Sequence, residues 1–346
     1  MTVEPSDVLV VTALQLERRA VRDHLQNVRV DNVKGLAADV GGFDGNGPRI
    51  AVIETGAGNV DAAVLTARAE DAFRPAIVVM LGVAGGLKDV AVGDVVVSSK
   101  VYWFEGGKQE RALQPRPDFA SVSPGLVQLA RAVAADDAWL ARGKGAAAGW
   151  RAASRPPSAL VAPIVVGEKV LADRGSDVVA LVRASYGDAV AIDMEDFGTL
   201  RGGRSTERAR VIAIRGISDL VDEKAAADAG GSQPLAAANA AAFLFEMLAC
   251  WSLEDGRGDR SGDCRDDIAV VGRELYPEGP QQDGLWERAG GDLSRLLPSG
   301  PGANRWWHAA RLLHRGGGGP RITINSLVAA MADDYPGNDR LERMRS

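Results

Sequence analysis

The sequence predicts an α/β domain followed by a small all-α bundle, and three observations predict it. Short unbroken apolar runs recur between residues 8 and 214 and read as buried parallel strands, because such strands are covered on both faces. Acids cluster just after two of those runs, where an open α/β sheet keeps its ligand crevice. Beyond a charged, glycine-rich stretch at Leu253–Asp266, apolar residues recur every three to four positions, the helical period. A length of 346 residues agrees with two domains.

The first run, Val8–Val11, turns at Thr12-Ala13 into a helix beginning near Gln15. Its early acid, Glu17, suits the positive end of the helix dipole. Arg49–Glu54 is the next strand and ends in T-G-A-G-N-V-D-A-A. A Gly-x-Gly ahead of an alanine-rich helix can hold an anion, although glycines also serve plain tight turns. Ile77–Leu81 leads into the loop G-V-A-G-G-L, and Val101–Phe104 leads into a long polar loop. Lys108, Arg111 and Arg116 in that loop read as solvated charges or as the lining of one end of a ligand.

Leu126–Leu140 has helical period, Arg142–Pro157 reads as a surface excursion, and Leu160–Val166 is a strand ending in V-G-E-K-V-L-A-D. Two more strands, Ala189–Ile192 and Val211–Ile214, carry Asp193, Glu195 and Asp196 after the first and Asp219 and Asp222 after the second. Glu195, Asp219 and Arg215 are thereby placed where a small polar ligand would be gripped. The longest apolar stretch, Ala236–Leu253, contains Asn239 and Glu246 and reads as an amphipathic helix against the sheet rather than a membrane span.

Composition narrows the function classes. Apolar residues at 46% suffice for a core, and a net charge of −6 gives no reason to expect nucleic acid as a partner. Two cysteines, Cys250 and Cys264, are too few for a disulfide framework or a cysteine-built zinc site, which fits a reducing, cytoplasmic setting. The N-terminus M-T-V-E-P-S-D lacks the basic start of a signal peptide.

With M-E closing one strand and R-G-I-S-D closing the next, the chain resembles the nucleoside phosphorylase and nucleosidase superfamily over roughly residues 7–250. It is most similar to the branch that hydrolyses 5′-methylthioadenosine and S-adenosylhomocysteine. The resemblance implies a mixed sheet with flanking helices and a hydrolytic cut of a purine N-glycosidic bond, with no metal or redox cofactor. It makes Asp219 the acid that protonates the leaving base, and it gives Glu195 the ribose hydroxyls. Glu17, four residues after Ala13, becomes the residue that holds and activates the water, with Arg215 orienting the carboxylates. Met194 packs on the sugar, Ser218 accompanies Asp219, and Ala84, Gly85 and Gly86 let the backbone approach ribose and base. Relatives that use phosphate often place an arginine just before this glycine segment; Met80-Leu81 stand here, which favours water.

Two segments depart from the family. Where those nucleosidases stack an aromatic on adenine, this chain offers Val170-Leu171. The segment Leu220–Gln233, which in the family covers the 5′ end, is small and polar, which makes a phosphorylated 5′ substituent plausible. Two other readings stay open: a phosphate-dependent phosphorylase, and an inactive nucleoside-binding sensor or scaffold.

Residues 1–253 therefore form the first expected domain, 254–266 a linker, and 267–346 a helical one. In the last, Asp267 is expected to cap a helix ended by Pro277, followed by Gln282–Ala289, Ala303–His314, Ile324–Tyr335 and a final turn at Leu341. E-L-Y-P, W-W-H and Y-P-G-N-x-x-L resemble the small effector-associated domains of bacterial conflict systems, which pair with like domains on a partner protein. Trp306 and Trp307 are expected to supply much of this small core. His308 and His314 are six apart, out of phase for paired metal ligation, so no metal is expected. The superfamily resemblance further implies a homo-oligomer.

Overall fold

The first strand, β1 (Val8–Thr12), is buried along its whole length and lies between two parallel neighbours, β4 (Arg49–Glu54) and β5 (Ile77–Gly86). Val10 pairs with Val52 on one side and Val79 on the other, so the apolar runs form the centre of the sheet as parallel strands should. The computed structural model describes residues 6–43, 47–110, 113–143, 155–171, 173, 175–206, 208–221, 232–254, 264–298, 302–314, 317–319 and 321–345. The chain divides into two compact units, Met1–Cys250 and Trp251–Ser346.

With β2 at Gln26–Val33, β3 at Leu36–Gly42, β6 at Val95–Trp103, β10 at Ala159–Val166, β11 at Ala191–Asp193 and β12 at Arg210–Asp219, the strand order in the first unit is β11-β10-β6-β12-β5-β1-β4-β3-β2. β11 also pairs antiparallel with β5, Ala191 opposite Gly86 and Ile192 opposite Gly85, so one end of the sheet curls back on its middle. The segment expected as a glycine loop after Leu81 is therefore strand: β5 continues to Gly86 because β11 and β12 both take up its hydrogen bonds. Two further strands escaped the hydrophobic pattern. β2 (Gln26–Val33) and β3 (Leu36–Gly42) form a hairpin around Lys34-Gly35, both at positive φ. β2 is a mostly exposed, polar edge strand, so it carries no apolar run to read. The long polar loop after Phe104 likewise contains short strands β7 (Gly107–Gln109), β8 (Leu113–Pro115) and β9 (Asp118–Ala120).

Helices α1 (Gln15–Arg22), α2 (Asn59–Phe73), α3 (Pro124–Ala134), α4 (Asp177–Ser185), α5 (Asp196–Gly202) and α6 (Ser232–Glu254) complete the unit. α3 stops before Leu140 because the Asp136 side chain accepts from Ala138 N and starts a separate 3₁₀ turn over Asp137–Arg142. α6 is not amphipathic: Ala240–Leu248 are all buried, Asn239 Nδ2 donates to Gly93 O at 2.7 Å, and Glu246 pairs with Arg142. It is long and apolar enough to cross a membrane, yet most of it is buried inside the protein, as a helix apolar on every side must be.

α5 packs on α2 through two glycines one turn apart. A Cβ on Gly198 would lie 2.0 Å from Asn59 O, and one on Gly202 would lie 2.4 Å from Ala63 O. Gly198→Ala is expected to cost about 1–3 kcal/mol through overpacking, read as a lower denaturant midpoint. Because α5 carries the carboxylates described below, this contact also sets their height above the sheet.

The second unit has its own core, built on α7 (Cys264–Leu275), α8 (Leu285–Arg288), α9 (Gly302–His314), α10 (Ile324–Asp334) and α11 (Asp339–Arg345). Trp306 is fully buried against Gly272, where a Cβ would come within 2.5 Å of the indole, and its Nε1 donates to Tyr276 O at 2.7 Å. The side chains of Trp307 and His314 lie outside the described residues, while His308 is half-buried. Asp267 lies inside α7 rather than capping it, since no helix breaker stands between Cys264 and Asp267. The helix expected over Gln282–Ala289 is broken at Asp283-Gly284, both at positive φ, leaving a 3₁₀ turn ahead of α8. Of the expected linker, residues 255–263 lie outside the described residues, and its two ends are helical.

Candidate active site

The ends of β1, β5, β11 and β12 converge on one cleft of about 800 Å³, counted out to its open mouth. Its walls include Glu17 from α1, Val83–Gly85 from β5, Asp193 closing β11 with Met194-Glu195 after it, and Ser218-Asp219 closing β12. This is the crevice beyond the carboxyl ends of the strands.

Glu17 occupies the third position of α1 and reaches back to its start. Ala13 N and Leu14 N donate to Oε2, and Val83 N donates to Oε1, each at 2.9 Å. The first-turn acid thus does cap its helix, and it also ties α1 to β5. These bonds take up three of the roughly four acceptor sites of a carboxylate, leaving room for one further donor such as a water. Burial pushes the carboxyl above its ordinary value, while Arg215 and the backbone N–H groups pull it back.

Glu195 precedes α5 and is fixed from two directions. Gly58 N, ahead of α2, donates to Oε1 at 3.1 Å, and Arg215 Nη2 donates to Oε2 at 3.2 Å. The Gly-x-Gly therefore does face an anion, and that anion is the chain's own carboxylate; Glu168 adds a second at Asn59 N, 3.3 Å away.

Arg215 is 1% exposed and is absent from the cleft wall. Its guanidinium sits behind Glu195, donating from Nε to Asp196 Oδ1 at 2.8 Å and from Nη1 to Val83 O at 3.1 Å, and pairing with Asp193. Burial alone would lower its pKa, but the carboxylates of Asp193, Asp196 and Glu195 outweigh burial and hold it well above the ordinary value. Arg215 therefore stands behind the carboxylates rather than where the ligand itself would be gripped. Burial pushes the Asp193 carboxyl well above the usual carboxylate range, with Arg215 opposing and Asp196 reinforcing. Since the raised value belongs to the folded state, this group favours folding most at acid pH. That contribution is lost as pH rises through the folded value.

Asp219 reaches the cleft through a break in strand register. β12 pairs with β5 regularly as far as Ile217, then shifts before Asp219, and this bulge turns Ser218-Asp219 into the cavity. Ser218 Oγ lies 3.0 Å from Asp219 Oδ2 and 3.4 Å from Ala84 O and can donate to either. Gly85 leaves room for the carboxyl: a Cβ there would stand 3.3 Å from Asp219 Oδ1.

Of the other expected residues, Ala13, Ala84, Gly85, Met194, Val170 and Leu171 line the cleft, Val170 more than half exposed at its mouth. Gly86 does not line it; a Cβ there would meet Val90 and Leu220, so this glycine serves packing. Lys108 pairs with Glu110, and neither it nor Arg116 is in the cleft wall. Arg111, Asp222 and Lys224 lie outside the described residues. Met80 and Leu81 are buried within β5, away from the cavity.

Sequence reasoning missed Gly82. A Cβ there would fall 2.3 Å from Arg215 Nη1 and 2.7 Å from Glu17 Oε1, so only hydrogen lets both charged groups pass the strand. Gly82→Ala is expected to lower turnover by about 10²-fold through misplacement of both groups, measured under substrate saturation. The signal is the first glycine of G-V-A-G-G-L, which continues the apolar run Ile77–Leu81.

A family model described as the phosphorylase superfamily matches residues 7–249. The 5′-methylthioadenosine/S-adenosylhomocysteine nucleosidase of Listeria welshimeri serovar 6b is 25% identical over 231 residues, covering 65% of this chain and 90% of that protein. ATP nucleosidase Cap17 of Escherichia coli strain KTE188 is 25% identical over 246 residues, 62% of this chain and 46% of its own length. The chain spans between 40% and 90% of the curated relatives it matches. Among solved structures, the nucleosidase of Neisseria meningitidis in complex with methylthio-immucillin-A superposes with a TM-score of 0.54 at 24% identity, over 70% of this chain and 97% of that one. That likeness establishes a common fold.

Proposed function

This chain belongs to the phosphorylase superfamily, and we propose that it hydrolyses the N-glycosidic bond of an adenine nucleoside or nucleotide. The observation that carries the reading is the convergence of Glu17, Glu195 and Asp219 on one cleft from three distant parts of the chain. Breaking such a bond builds positive charge on the sugar and negative charge on the base. Asp219, at the end of β12, protonates the base as it leaves. Glu195, held by Gly58 N and Arg215, binds the ribose hydroxyls and offsets the sugar's charge. Glu17 uses its remaining acceptor site to orient the water. Met194 packs on the sugar, and Val170 and Leu171 cover the base. Among the described lining residues Lys169 is the one cation, and it pairs with Glu105 at 3.0 Å, which favours water over phosphate as nucleophile.

The 5′ substituent divides two roles. A methylthio group would make the enzyme a salvage nucleosidase, and phosphates would make it a nucleotide-depleting effector. The similarity to a protein named ATP nucleosidase and the adaptor-like second unit favour the effector, recruited by a partner protein through residues 267–346 in antiviral defence. Adenine release from methylthioadenosine, adenosine, AMP and ATP, compared by chromatography, separates the two. Preference for the phosphorylated compounds supports the effector role, and preference for methylthioadenosine contradicts it.

A further inference from the structure

Behind the cleft, one guanidinium serves four carboxyl groups: Asp193, Asp196, Glu195 and Glu17. A single positive charge cannot balance four negative ones where water is excluded. Glu17 and Glu195 already have donors, since backbone N–H groups of Ala13, Leu14, Val83 and Gly58 donate to them. Asp193 and Asp196 differ. Asp193 Oδ2 accepts from Asp196 N at 3.2 Å and pairs with Arg215, and Asp196 Oδ1 accepts from Arg215 Nε at 2.8 Å. The remaining oxygens, Asp193 Oδ1 and Asp196 Oδ2, are buried with no donor. The two carboxyl groups close on the same guanidinium nitrogen, Arg215 Nη2, Asp196 Oδ1 at 2.7 Å and Asp193 through Oδ2. Buried acceptors need a donor, and a proton between these two supplies it.

We propose that Asp193 and Asp196 share one proton, and that this pair is the positioning unit which holds Arg215, and through it Glu195, in place for substrate. The proton stands on the burial of the two partnerless oxygens and on the shared contact with Arg215, while its effect on catalysis rests on the hydrolytic reading above. The charged groups around the pair are Arg215 on β12, Glu17 on α1 and Glu195 ahead of α5; Asp219 lines the same cleft. With one proton, the pair and Arg215 cancel, and the charge of Glu195 stays available for the cationic sugar. When alkali removes the proton, a second negative charge competes for the guanidinium and draws it from Glu195.

Infrared spectroscopy of the full chain tests the proton without reference to activity. Folded wild type at neutral pH should show a protonated-carboxyl C=O stretch. The pair's share of that band should vanish in Asp196→Asn, where an amide replaces the shared hydrogen, and in Asp193→Asn, while any share from Asp219 stays. Absence of the band from the wild type overturns the proposal and needs no variant. A band unchanged in both variants belongs to another carboxyl and overturns it equally. For the positioning role, wild-type KM should rise at alkaline pH while KM of Asp196→Asn stays flat. Asp196→Ala should raise KM by about 10- to 100-fold, the scale on which groups behind a binding residue act. The same alkaline rise in KM in Asp196→Asn as in wild type would contradict the positioning role. A chain that shows the band but releases no base keeps the proton and loses the hydrolytic reading instead.

Discussion

Asp219→Asn is expected to lower base release by about 10²–10⁴-fold, the usual worth of a positioned general acid. The substitution preserves shape, so binding should survive: the Asn amide still fits beside Gly85 and can still meet Ser218 Oγ. What it loses is a proton that can be passed to the departing base. KM should therefore move little while kcat collapses, the pattern of an interaction made only in the transition state. Steady-state kinetics on the preferred substrate reads both. Unchanged kcat would remove Asp219 from the chemistry and leave its placement at the register break without a catalytic meaning.

The second large effect is expected from Glu17→Gln. The wild-type carboxylate accepts from Ala13 N and Leu14 N through one oxygen and from Val83 N through the other. A glutamine has one acceptor oxygen, so its NH₂ must face an N–H donor on one side or the other. Turnover should fall by about 10²–10⁴-fold because the water loses its base. The unfolding free energy should also drop by about 1–3 kcal/mol, the cost of leaving a buried donor unpaired. Denaturant titration and kinetics on the same preparation check both. Full hydrolysis with lowered stability would make Glu17 a helix cap only, the reading its sequence position allows.

The parts of the fold legible in the sequence are those that hydrophobicity alone specifies. Val8–Val11, Ile50–Ile53, Ile77–Leu81 and Val211–Ile214 are unbroken apolar runs because their strands are covered on both faces, and all four lie in the sheet. β2 was illegible because an exposed edge strand needs no apolar residues, and β5 was cut short because glycines in a strand look like a turn. Gly82, Gly85 and Gly86 are there for neighbouring side chains: Arg215 and Glu17, Asp219, and Val90.

The site was legible where a residue's chemistry is its function. Glu195 and Asp219 stand out as acids at strand ends and Glu17 as an acid in the first turn of a helix, and the structure lines one cleft with all three. The residues that hold them were not. Asp193 and Asp196 read as two more strand-end acids, and only their burial and shared contact with Arg215 distinguish them from solvated charges. Arg215 itself was placed beside the ligand, whereas the folded chain puts it behind Glu195.

In the proposed reaction water cleaves the bond. The most direct measurement is base release in ¹⁸O-labelled water containing inorganic phosphate, with the sugar product analysed by mass spectrometry. The label is predicted at the anomeric hydroxyl of the free sugar, with adenine released at the same rate when phosphate is omitted. An unlabelled sugar 1-phosphate, formed only with phosphate present, would contradict the account and make this cleft that of a phosphorylase.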